Sequence, residues 1–342
     1  MEYRSLGRTG VPVSAICLGC MNFGGPTPED ESIRMIHHAL DEGVNFLDTA
    51  NVYSRGVSET ITGKALKGRR DKVVLATKVH GRMDDDNILA YGNNRRHIIE
   101  QCEASLKRLG TDYIDLYQLH RPQSDMPIDE TLRALDDLIH AGKVRYIGTS
   151  SFTAWQVMEA LWAAKEMGLN RFVSEQPPYH LLDRSIEREL IPMAQTYGIA
   201  ILPWSPLARG FLSGKYQRGQ DIPEGSRLER DIQNTGYIGQ RTKKHFSELG
   251  YDLLDVVIEL ANEKGCTPAQ LGLAWNIRQP GVTSPIVGPR TMEHLDDNLG
   301  AVPVEITDAD RARLDAVSTP EQAIVSYYTG QAMDFKPAQY RW

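Results

Sequence analysis

Residues 114–150 read IDLYQLHRPQSDMPIDETLRALDDLIHAGKVRYIGTS and form one complete unit of the pattern that decides the fold. The unit opens and closes with short, mostly apolar runs that predict strands, Ile114–His120 and Tyr146–Ser150. Between them, apolar residues recur at helical spacing over Ile128–Ala141, and Gly142 follows as a helix-ending signal. Two strands joined through a helix predict a parallel pair, because a parallel connection needs a crossover.

The same strand–helix alternation runs along most of the chain. Short, mostly apolar segments predict eight parallel strands, at Ala15–Met21, Asn45–Thr49, Val73–Val79, Ile114–His120, Tyr146–Ser150, Phe172–Gln176, Ala200–Trp204 and Ser284–Val287. Amphipathic segments between them predict helices, among them Asp30–Glu42, Arg96–Leu109, Ser185–Tyr197 and Leu253–Lys264. Eight such units predict an α/β fold of the (β/α)8 TIM-barrel type, since eight parallel strands close into a barrel.

An open, doubly wound sheet is the rival α/β architecture. Such sheets usually carry a phosphate-binding glycine fingerprint directly after the first strand. Here Gly24 and Gly25 follow the first strand, and the pattern G-x-G-x-x-G occurs nowhere in the sequence. The closed barrel is therefore the predicted fold.

The chain is expected to form one barrel domain over residues 1–342, and the remaining segments are additions to this barrel. Residues 1–13 contain two extended pieces around a glycine-containing turn and predict a β-hairpin that caps the barrel. Residues 208–250 predict an insertion after the seventh strand, and residues 319–342 form a tail without clear periodicity. We expect this tail to join the loops that shape substrate access. Its aromatic residues are Tyr327, Tyr328, Phe335, Tyr340 and Trp342.

The composition indicates which kinds of partner the protein does not bind and in which compartment it is expected. A net charge of −7 and a pI of about 5.8 argue against binding to nucleic acid or to an anionic membrane. No basic and apolar leader opens the chain, and no apolar run approaches the ~20 residues of a membrane span. We therefore expect a cytoplasmic protein without a membrane partner.

The four cysteines include a Cys-x-x-Cys pair, Cys17 and Cys20, which invites a redox or zinc interpretation. However, this pair lies in a predicted strand, where residues three positions apart point to opposite faces. No second such pair or histidine pair completes a set of four metal ligands. The sequence therefore favours structural thiols, and no metal site is predicted.

Four chemically active residues follow three neighbouring strands. Asp48 lies at the end of the second predicted strand and Tyr53 follows five residues later, while Lys78 and His120 lie at the ends of the third and fourth. The active site of a TIM barrel lies at the C-terminal ends of its strands, so these side chains are expected to meet. A lysine inside an apolar strand is costly to bury without a partner, and Asp48 is its natural counterion.

These four residues together also predict a type of reaction. A phenol normally titrates near pH ~10, and a nearby ammonium lowers its pKa because it stabilises the phenolate. An imidazole can orient a carbonyl group beside it. Together these groups predict protonation of a carbonyl oxygen while hydride arrives at the carbonyl carbon.

These residues and their surroundings resemble the aldo-keto reductase superfamily. The match includes Asn45–Ala50 with Tyr53, Lys78 in its strand, and Leu119-His120-Arg121-Pro122, and it runs from the hairpin to about Ser318. The resemblance implies that Tyr53 is the proton donor, that Lys78 and Asp48 support it, and that His120 positions the carbonyl. Substrate contacts are expected from Tyr53, His120, Met21 and Phe23.

The resemblance further implies a site for NADP(H), with NAD(H) as the alternative cofactor. Residues 148–152 are similar to the motif that holds the nicotinamide carboxamide, through Ser150 and Ser151, although the family often has Ser-Asn there. Gln176 resembles the second carboxamide ligand, and Trp204 falls where an aromatic ring stacks on the nicotinamide.

Two further segments are similar to the family's phosphate and adenosine motifs. The run 205–215 is expected to bind the pyrophosphate through free N–H groups and a lysine, and its implied contacts are Ser205, Leu207, Gly210, Leu212 and Lys215. Residues 288–298 follow the eighth strand, where Arg290 and a helix N-terminus suit a ribose 2′-phosphate. The implied contacts in that segment are Gly288, Arg290, His294, Asp297 and Asn298. His294 stands where many relatives have Gln or Arg.

The leading prediction is an NADP-dependent aldo-keto reductase (EC 1.1.1.-) that reversibly reduces a small-molecule aldehyde or ketone. The alternative is a nicotinamide-binding regulatory subunit of the potassium-channel β type with weak or no turnover, because Ser213–Tyr216 and the chain length resemble that branch, which also contains bacterial reductases. A zinc-dependent barrel hydrolase is disfavoured, because no His-x-His pair occurs at a strand end. The natural substrate and the oligomeric state stay open.

Overall fold

The computed structural model describes residues 1–234 and 236–328. The strands are β1 (Tyr3–Ser5), β2 (Pro12–Ser14), β3 (Cys17–Gly19), β4 (Phe46–Asp48), β5 (Val74–Val79), β6 (Ile114–Leu119), β7 (Val144–Ser150), β8 (Phe172–Gln176), β9 (Ala200–Ile201) and β10 (Ile286–Val287). The α-helices are α1 (Glu29–Asp41), α2 (Val57–Ala65), α3 (Arg95–Leu109), α4 (Ile128–His140), α5 (Ala154–Met167), α6 (Leu190–Tyr197), α7 (Arg227–Ile232), α8 (Tyr237–Lys243), α9 (Glu248–Lys264), α10 (Pro268–Ile277), α11 (Met292–Leu299) and α12 (Asp308–Val317).

Strands β3 to β10 form one closed parallel sheet. They are ordered β10-β3-β4-β5-β6-β7-β8-β9, and bridges from Ile201 to Val282 and from Trp204 to Ile286 join the two ends. β1 and β2 pair antiparallel, and Leu6 beside them is fully buried with the side chains of the barrel interior. The predicted (β/α)8 barrel with an N-terminal hairpin is confirmed.

The barrel interior changes from apolar to polar toward the C-terminal ends of the strands. Apolar side chains such as Phe46, Ala76 and Leu116 fill its lower part. Because side chains alternate along a strand, the residues two positions further on point to the same side. In these strands they are Asp48, Lys78 and Gln118, and all three are buried. The alternation therefore places a carboxylate, an ammonium and an amide in one layer beneath the mouth.

The two cysteines of the Cys-x-x-Cys pair lie in different hydrophobic clusters. Cys17 packs in the barrel interior, whereas Cys20 packs in the layer between the sheet and the helices. Both thiols are free and buried, and burial raises the pKa of Cys20 to about 12. As the strand geometry predicts, the two side chains do not form a common site.

Two predicted helices differ from those observed. Where the sequence predicts one helix over Ser185–Tyr197, a 3-10 turn covers Ser185–Glu187 and α6 begins only at Leu190. The hydroxyl of Ser185 donates to Asp183 at 2.6 Å, which holds this turn against the preceding loop. α9 begins earlier than predicted, because Ser247 caps it by accepting from the N–H of Gly250 at 3.2 Å. Among the helices of the described ranges, none is long and apolar enough to cross a membrane.

An aromatic cluster anchors the segment between β9 and α9. Phe211 contacts Tyr216, Phe246 and Tyr251, and the imidazole of His245 packs edge-on against its ring at 5.7 Å. Nδ1 of His245 lies 3.1 Å from the carbonyl oxygen of Thr242, and the side chain is buried. Burial and the charge of nearby Arg241 lower the pKa of His245 from 6.5 to about 4.

Replacing this imidazole should reduce the acid sensitivity of the fold. Below pH 6.5 the unfolded chain protonates His245, whereas the folded chain resists protonation until about pH 4. Acidification over this window therefore costs the wild type roughly 3 kcal/mol that His245→Phe does not lose. Urea unfolding of both proteins at neutral and acidic pH measures the difference. His140→Gln, at an exposed histidine, is the control. Equal acid sensitivity in wild type and His245→Phe would contradict a lowered pKa of His245 in the folded protein.

Candidate active site

The four candidate catalytic residues lie at the C-terminal ends of three adjacent strands. Asp48 is the last residue of β4, Lys78 lies one residue before the end of β5, and His120 directly follows β6. Tyr53 opens a 3-10 turn, Tyr53–Gly56, that follows β4. The parallel register brings all four into one mouth, as the sequence predicts.

Lys78 is fully buried and has three hydrogen-bond acceptors for its three N–H groups. Nζ forms an ion pair with Oδ1 of Asp48, donates to the carbonyl oxygen of Thr49 at 2.9 Å, and lies 3.2 Å from the hydroxyl oxygen of Tyr53. Burial alone would lower the pKa of Lys78, but the charge of Asp48 and the contact with Tyr53 raise it above 10.5. The side chain therefore stays a cation at neutral pH and faces the phenol oxygen.

The second oxygen of Asp48 is held by two glutamine amides. Oδ2 accepts from Nε2 of Gln118 at 2.9 Å and from Nε2 of Gln176 at 3.0 Å. A carboxylate only accepts hydrogen bonds, so both amides must turn their NH2 groups toward it. Nε2 of Gln176 also lies 3.2 Å from Oε1 of Gln118. Gln118 was not predicted from the sequence as a site residue, because a neutral amide within a strand gives no signal of its own.

Tyr53 and His120 face each other across the mouth. Their ring centroids lie 5.7 Å apart in an edge-on arrangement. Burial and the charges of Lys78, Arg121 and His80 lower the pKa of His120 well below 6.5. The imidazole is therefore neutral at neutral pH, and it can donate one N–H without carrying a charge.

The two serines expected to hold a nicotinamide carboxamide use their hydroxyl groups in hydrogen bonds within the protein. Ser150 donates its hydroxyl hydrogen to the carbonyl oxygen of Gln176 at 3.0 Å. Ser151 is fully buried, and its hydroxyl oxygen accepts from Arg121 at 2.8 Å and from the indole N–H of Trp204 at 3.3 Å. The structure thus places Ser151 against the edge of the indole, whereas the resemblance implies a direct cofactor contact.

The expected pyrophosphate loop uses its N–H groups internally. Ala208 donates to the carbonyl of Ser205 at 2.8 Å, and the N–H of Arg209 donates to the Ser205 hydroxyl at 2.9 Å. Gly210 and Leu212 both donate to the carbonyl of Leu207. The prediction of free N–H groups is wrong at these four residues. The cause is a left-handed backbone at residues 208–210, which curls the loop into 3-10 turns.

Cationic side chains, rather than free N–H groups, lie beside this loop. Burial and the charge of Arg290 lower the pKa of Lys215, and burial and the charge of Arg209 lower the pKa of Arg227 to about 10. Burial and the charge of Arg230 likewise lower the pKa of Arg290. The carboxylate of Asp231 offsets part of this positive charge, and an anionic ligand would offset more of it. Arg227 lies at the start of α7 and was not predicted from the sequence, because nothing in residues 208–250 indicates that they fold back toward the mouth.

The segment after β10 is fixed by the loop between β3 and α1. Asn22 donates to the carbonyl of Gly288 at 2.8 Å, and Thr27 donates to that of Arg290 at 3.0 Å. A Cβ atom at Gly288 would lie 2.3 Å from the sulfur of Met21, so a larger residue at this position would have to displace the end of that flexible side chain. Thr291 caps α11 by accepting from the N–H of His294 at 3.3 Å. The segment therefore presents a helix N-terminus beside Arg290.

Four other expected contacts are buried or hydrogen-bonded within the protein. Phe23, which is expected to contact the substrate, is fully buried in the layer between the sheet and the helices. The carboxylate of Asp297 accepts from the hydroxyl of Thr267 at 2.8 Å, at the start of α10. Asn298 is buried on α11, and the side chain of Leu212 is fully buried. Burial leaves Phe23, Asn298 and Leu212 little surface for a ligand, whereas Asp297 is partly exposed.

The mouth of this parallel barrel sets a buried, ion-paired lysine against a tyrosine hydroxyl, an arrangement that is chemically suited to proton transfer. Residues 15–319 match the model of the Aldo/keto reductase family, and the chain belongs to this family. It is therefore an oxidoreductase of a family that generally uses nicotinamide cofactors. Within the described ranges, no three His, Cys, Asp or Glu side chains are grouped as metal ligands would be.

Similar proteins include enzymes and one channel-related protein. The chain is 37% identical to versiconal hemiacetal acetate reductase of Aspergillus parasiticus, over 94% of this chain and 98% of that protein. It is 40% identical to an uncharacterized oxidoreductase of Bacillus subtilis, over 90% and 92%. It is 39% identical to a putative voltage-gated potassium channel subunit beta of Schizosaccharomyces pombe, over 88% of each chain. Both branches of the predicted resemblance are thus represented.

Proposed function

We propose that this protein is an NADP(H)-dependent reductase that converts a small-molecule aldehyde or ketone into an alcohol, reversibly, with Tyr53 as proton donor. The observation that carries the proposal is the 3.2 Å contact between Nζ of Lys78 and the hydroxyl oxygen of Tyr53. The ion pair with Asp48 keeps that ammonium charged inside the barrel. When bound, the nicotinamide supplies the hydride.

Each polar residue of the mouth has a distinct task in this proposal. Tyr53 gives its hydroxyl proton to the carbonyl oxygen, and Lys78 stabilises the phenolate that remains. Gln118 and Gln176 fix the carboxylate of Asp48, and this carboxylate in turn fixes the ammonium. His120, neutral because of burial and nearby cations, donates a hydrogen bond that orients the carbonyl.

The chemistry of the remaining side chains fits a dinucleotide phosphate. Lys215, Arg227 and Arg290 form a cationic group with lowered pKa values, and a polyanion would relieve their repulsion. Arg290 beside the N-terminus of α11 suits a ribose 2′-phosphate, which favours NADP(H) over NAD(H). The half-buried indole of Trp204 offers a flat face for a nicotinamide ring.

A regulatory role with weak turnover is the second candidate, and the similarity to the putative channel subunit supports it. Steady-state kinetics with NADPH and NADH, across aryl aldehydes, sugar-like aldehydes and ketones, separates the two. Turnover with NADPH supports the reductase. Tight NADPH binding without turnover of any carbonyl would favour the regulatory role, and failure to bind either cofactor would contradict both.

Removing Arg290 should weaken NADPH selectively. We expect Arg290→Met to raise the KM for NADPH about tenfold or more, because a charge-assisted phosphate contact is lost, and to leave the KM for NADH nearly unchanged. Arg313→Met is the matched control, since Arg313 lies on α12 and pairs with Glu259 and Glu263. An equal rise for both cofactors would argue against 2′-phosphate recognition by Arg290.

A further inference from the structure

We propose that Ser151 and Arg121 are positioning residues that hold the indole of Trp204, and that Ser151 does not itself bind the cofactor's carboxamide. This inference rests on the proposed function. These side chains would fix the aromatic wall against which the nicotinamide stacks.

The hydroxyl of Ser151 is already engaged on the protein side. Its oxygen accepts from Nη1 of Arg121 at 2.8 Å and from Nε1 of Trp204 at 3.3 Å. A hydroxyl oxygen has two acceptor lone pairs, and these two donors occupy both. The residue is 0% exposed, so its side chain presents no surface to the mouth. These contacts direct the hydroxyl toward the indole edge.

The backbone of Ser151 is held in an uncommon conformation to reach this position. Its φ angle is 64°, in the left-handed region that residues with a Cβ rarely adopt. The N–H of Ser151 donates to the carbonyl oxygen of Gln176 at 3.0 Å and keeps the loop in place. Such local strain is typical of functional sites, where surrounding contacts must maintain it.

Arg121 connects this contact to the end of the neighbouring strand, β6. Its Nη1 lies 3.2 Å from the carbonyl oxygen of His120, so one guanidinium joins the residue after β6 to the loop after β7. A hydrogen bond from a charged donor is stronger than a neutral one, which suits an anchor. Arg121 thus links the two residues proposed to orient the carbonyl and the nicotinamide, His120 and Trp204.

The last described part of the chain also packs against this indole. The ring of Tyr327 packs edge-on against Trp204 with centroids 4.9 Å apart. The N–H of Tyr327 donates to Oδ2 of Asp183 at 2.7 Å, and the guanidinium of Arg241 lies 4.9 Å from the Tyr327 ring centroid. Ser151 at the indole N–H and the ring of Tyr327 therefore both contact Trp204.

A double-mutant cycle between Ser151 and Trp204 tests the proposal. NADPH affinity is measured by the fluorescence of the reduced nicotinamide in wild type, Ser151→Ala, Trp204→Phe and the double variant. Trp204→Phe keeps an aromatic ring but removes the N–H donor. We expect Ser151→Ala to weaken binding roughly three- to tenfold in the wild type, and by less than about twofold in the Trp204→Phe background. The same loss in both backgrounds would overturn the proposal, because it would mean a direct contact with the cofactor.

Arg121 variants supply a second measurement. Arg121→Met should reproduce the loss in affinity caused by Ser151→Ala, and Arg121→Lys should restore most of it, because an ammonium can still donate one hydrogen bond. Arg145→Met is the control, since Arg145 lies near the other end of the same strand, β7, and is exposed. Wild-type affinity in Arg121→Met would contradict its role as an anchor. A wild-type protein that fails to bind NADPH would instead defeat the proposed function.

Discussion

Lys78→Met is expected to lose about 10³-fold in kcat and to become less stable. The activity falls because the phenolate left on Tyr53 after proton donation no longer faces a cation. The stability falls because Asp48 is then a buried carboxylate without its counterion, and breaking a buried pair on one side costs roughly 3–5 kcal/mol. Steady-state kinetics and urea unfolding measure the two losses on one protein.

A second variant separates these two effects. In Lys78→Met/Asp48→Asn the unpaired charge is gone, and an asparagine oxygen can still accept from Gln118 and Gln176. We expect most of the unfolding free energy to return while kcat stays low. Turnover near the wild-type level in either variant would show that the ammonium does not act on Tyr53. A double variant as unstable as Lys78→Met would show that the cost does not come from Asp48.

Tyr53→Phe should abolish most of the turnover and leave the cofactor bound as before. The change removes one oxygen, which lies 3.2 Å from Lys78, and leaves the ring that packs against His120. Loss of a general acid is expected to cost about 10²–10⁴-fold in kcat. Steady-state kinetics and a binding titration with NADPH measure the two quantities separately.

Tyr117→Phe is a matched control for the loss of a phenol. Tyr117 is fully buried on β6, and its hydroxyl donates to the carbonyl oxygen of Ile98 at 3.3 Å, on α3 outside the barrel. Its hydroxyl therefore lies away from the mouth, and kcat should stay near the wild-type value. A comparable loss of turnover in both variants would indicate a general effect on folding.

The layout of the mouth could be predicted because strand order and side-chain alternation determine it. Asp48, Lys78 and His120 each lie at or next to the end of an apolar run, and parallel strands bring such ends together. Gln118 obeys the same rule, but a neutral amide in a strand gives no signal of its own. Its importance appears only when its hydrogen bond to Asp48 is visible.

The cofactor side of the mouth could not be predicted in detail, because it depends on the conformation of loops that no local sequence pattern indicates. The N–H groups around Gly210 turn inward because Ala208 and Arg209 adopt positive φ angles, which these residue types rarely do. Arg227 reaches the cationic group through the fold of residues 208–250, which have no periodic pattern to predict it. Ser151 matches the expected position in the chain, but the structure directs its hydroxyl to Trp204.

The roles of Tyr53 and Lys78 are tested most directly by a single-turnover experiment. Enzyme preloaded with NADPH is mixed with an aryl aldehyde, and oxidation of the bound nicotinamide is followed in wild type and Tyr53→Phe. The aromatic hydroxyl facing Lys78 predicts rapid oxidation in the wild type and a rate about 10³-fold lower in the variant, at equal NADPH occupancy. Equal rates in the two proteins would show that the proton comes from another group.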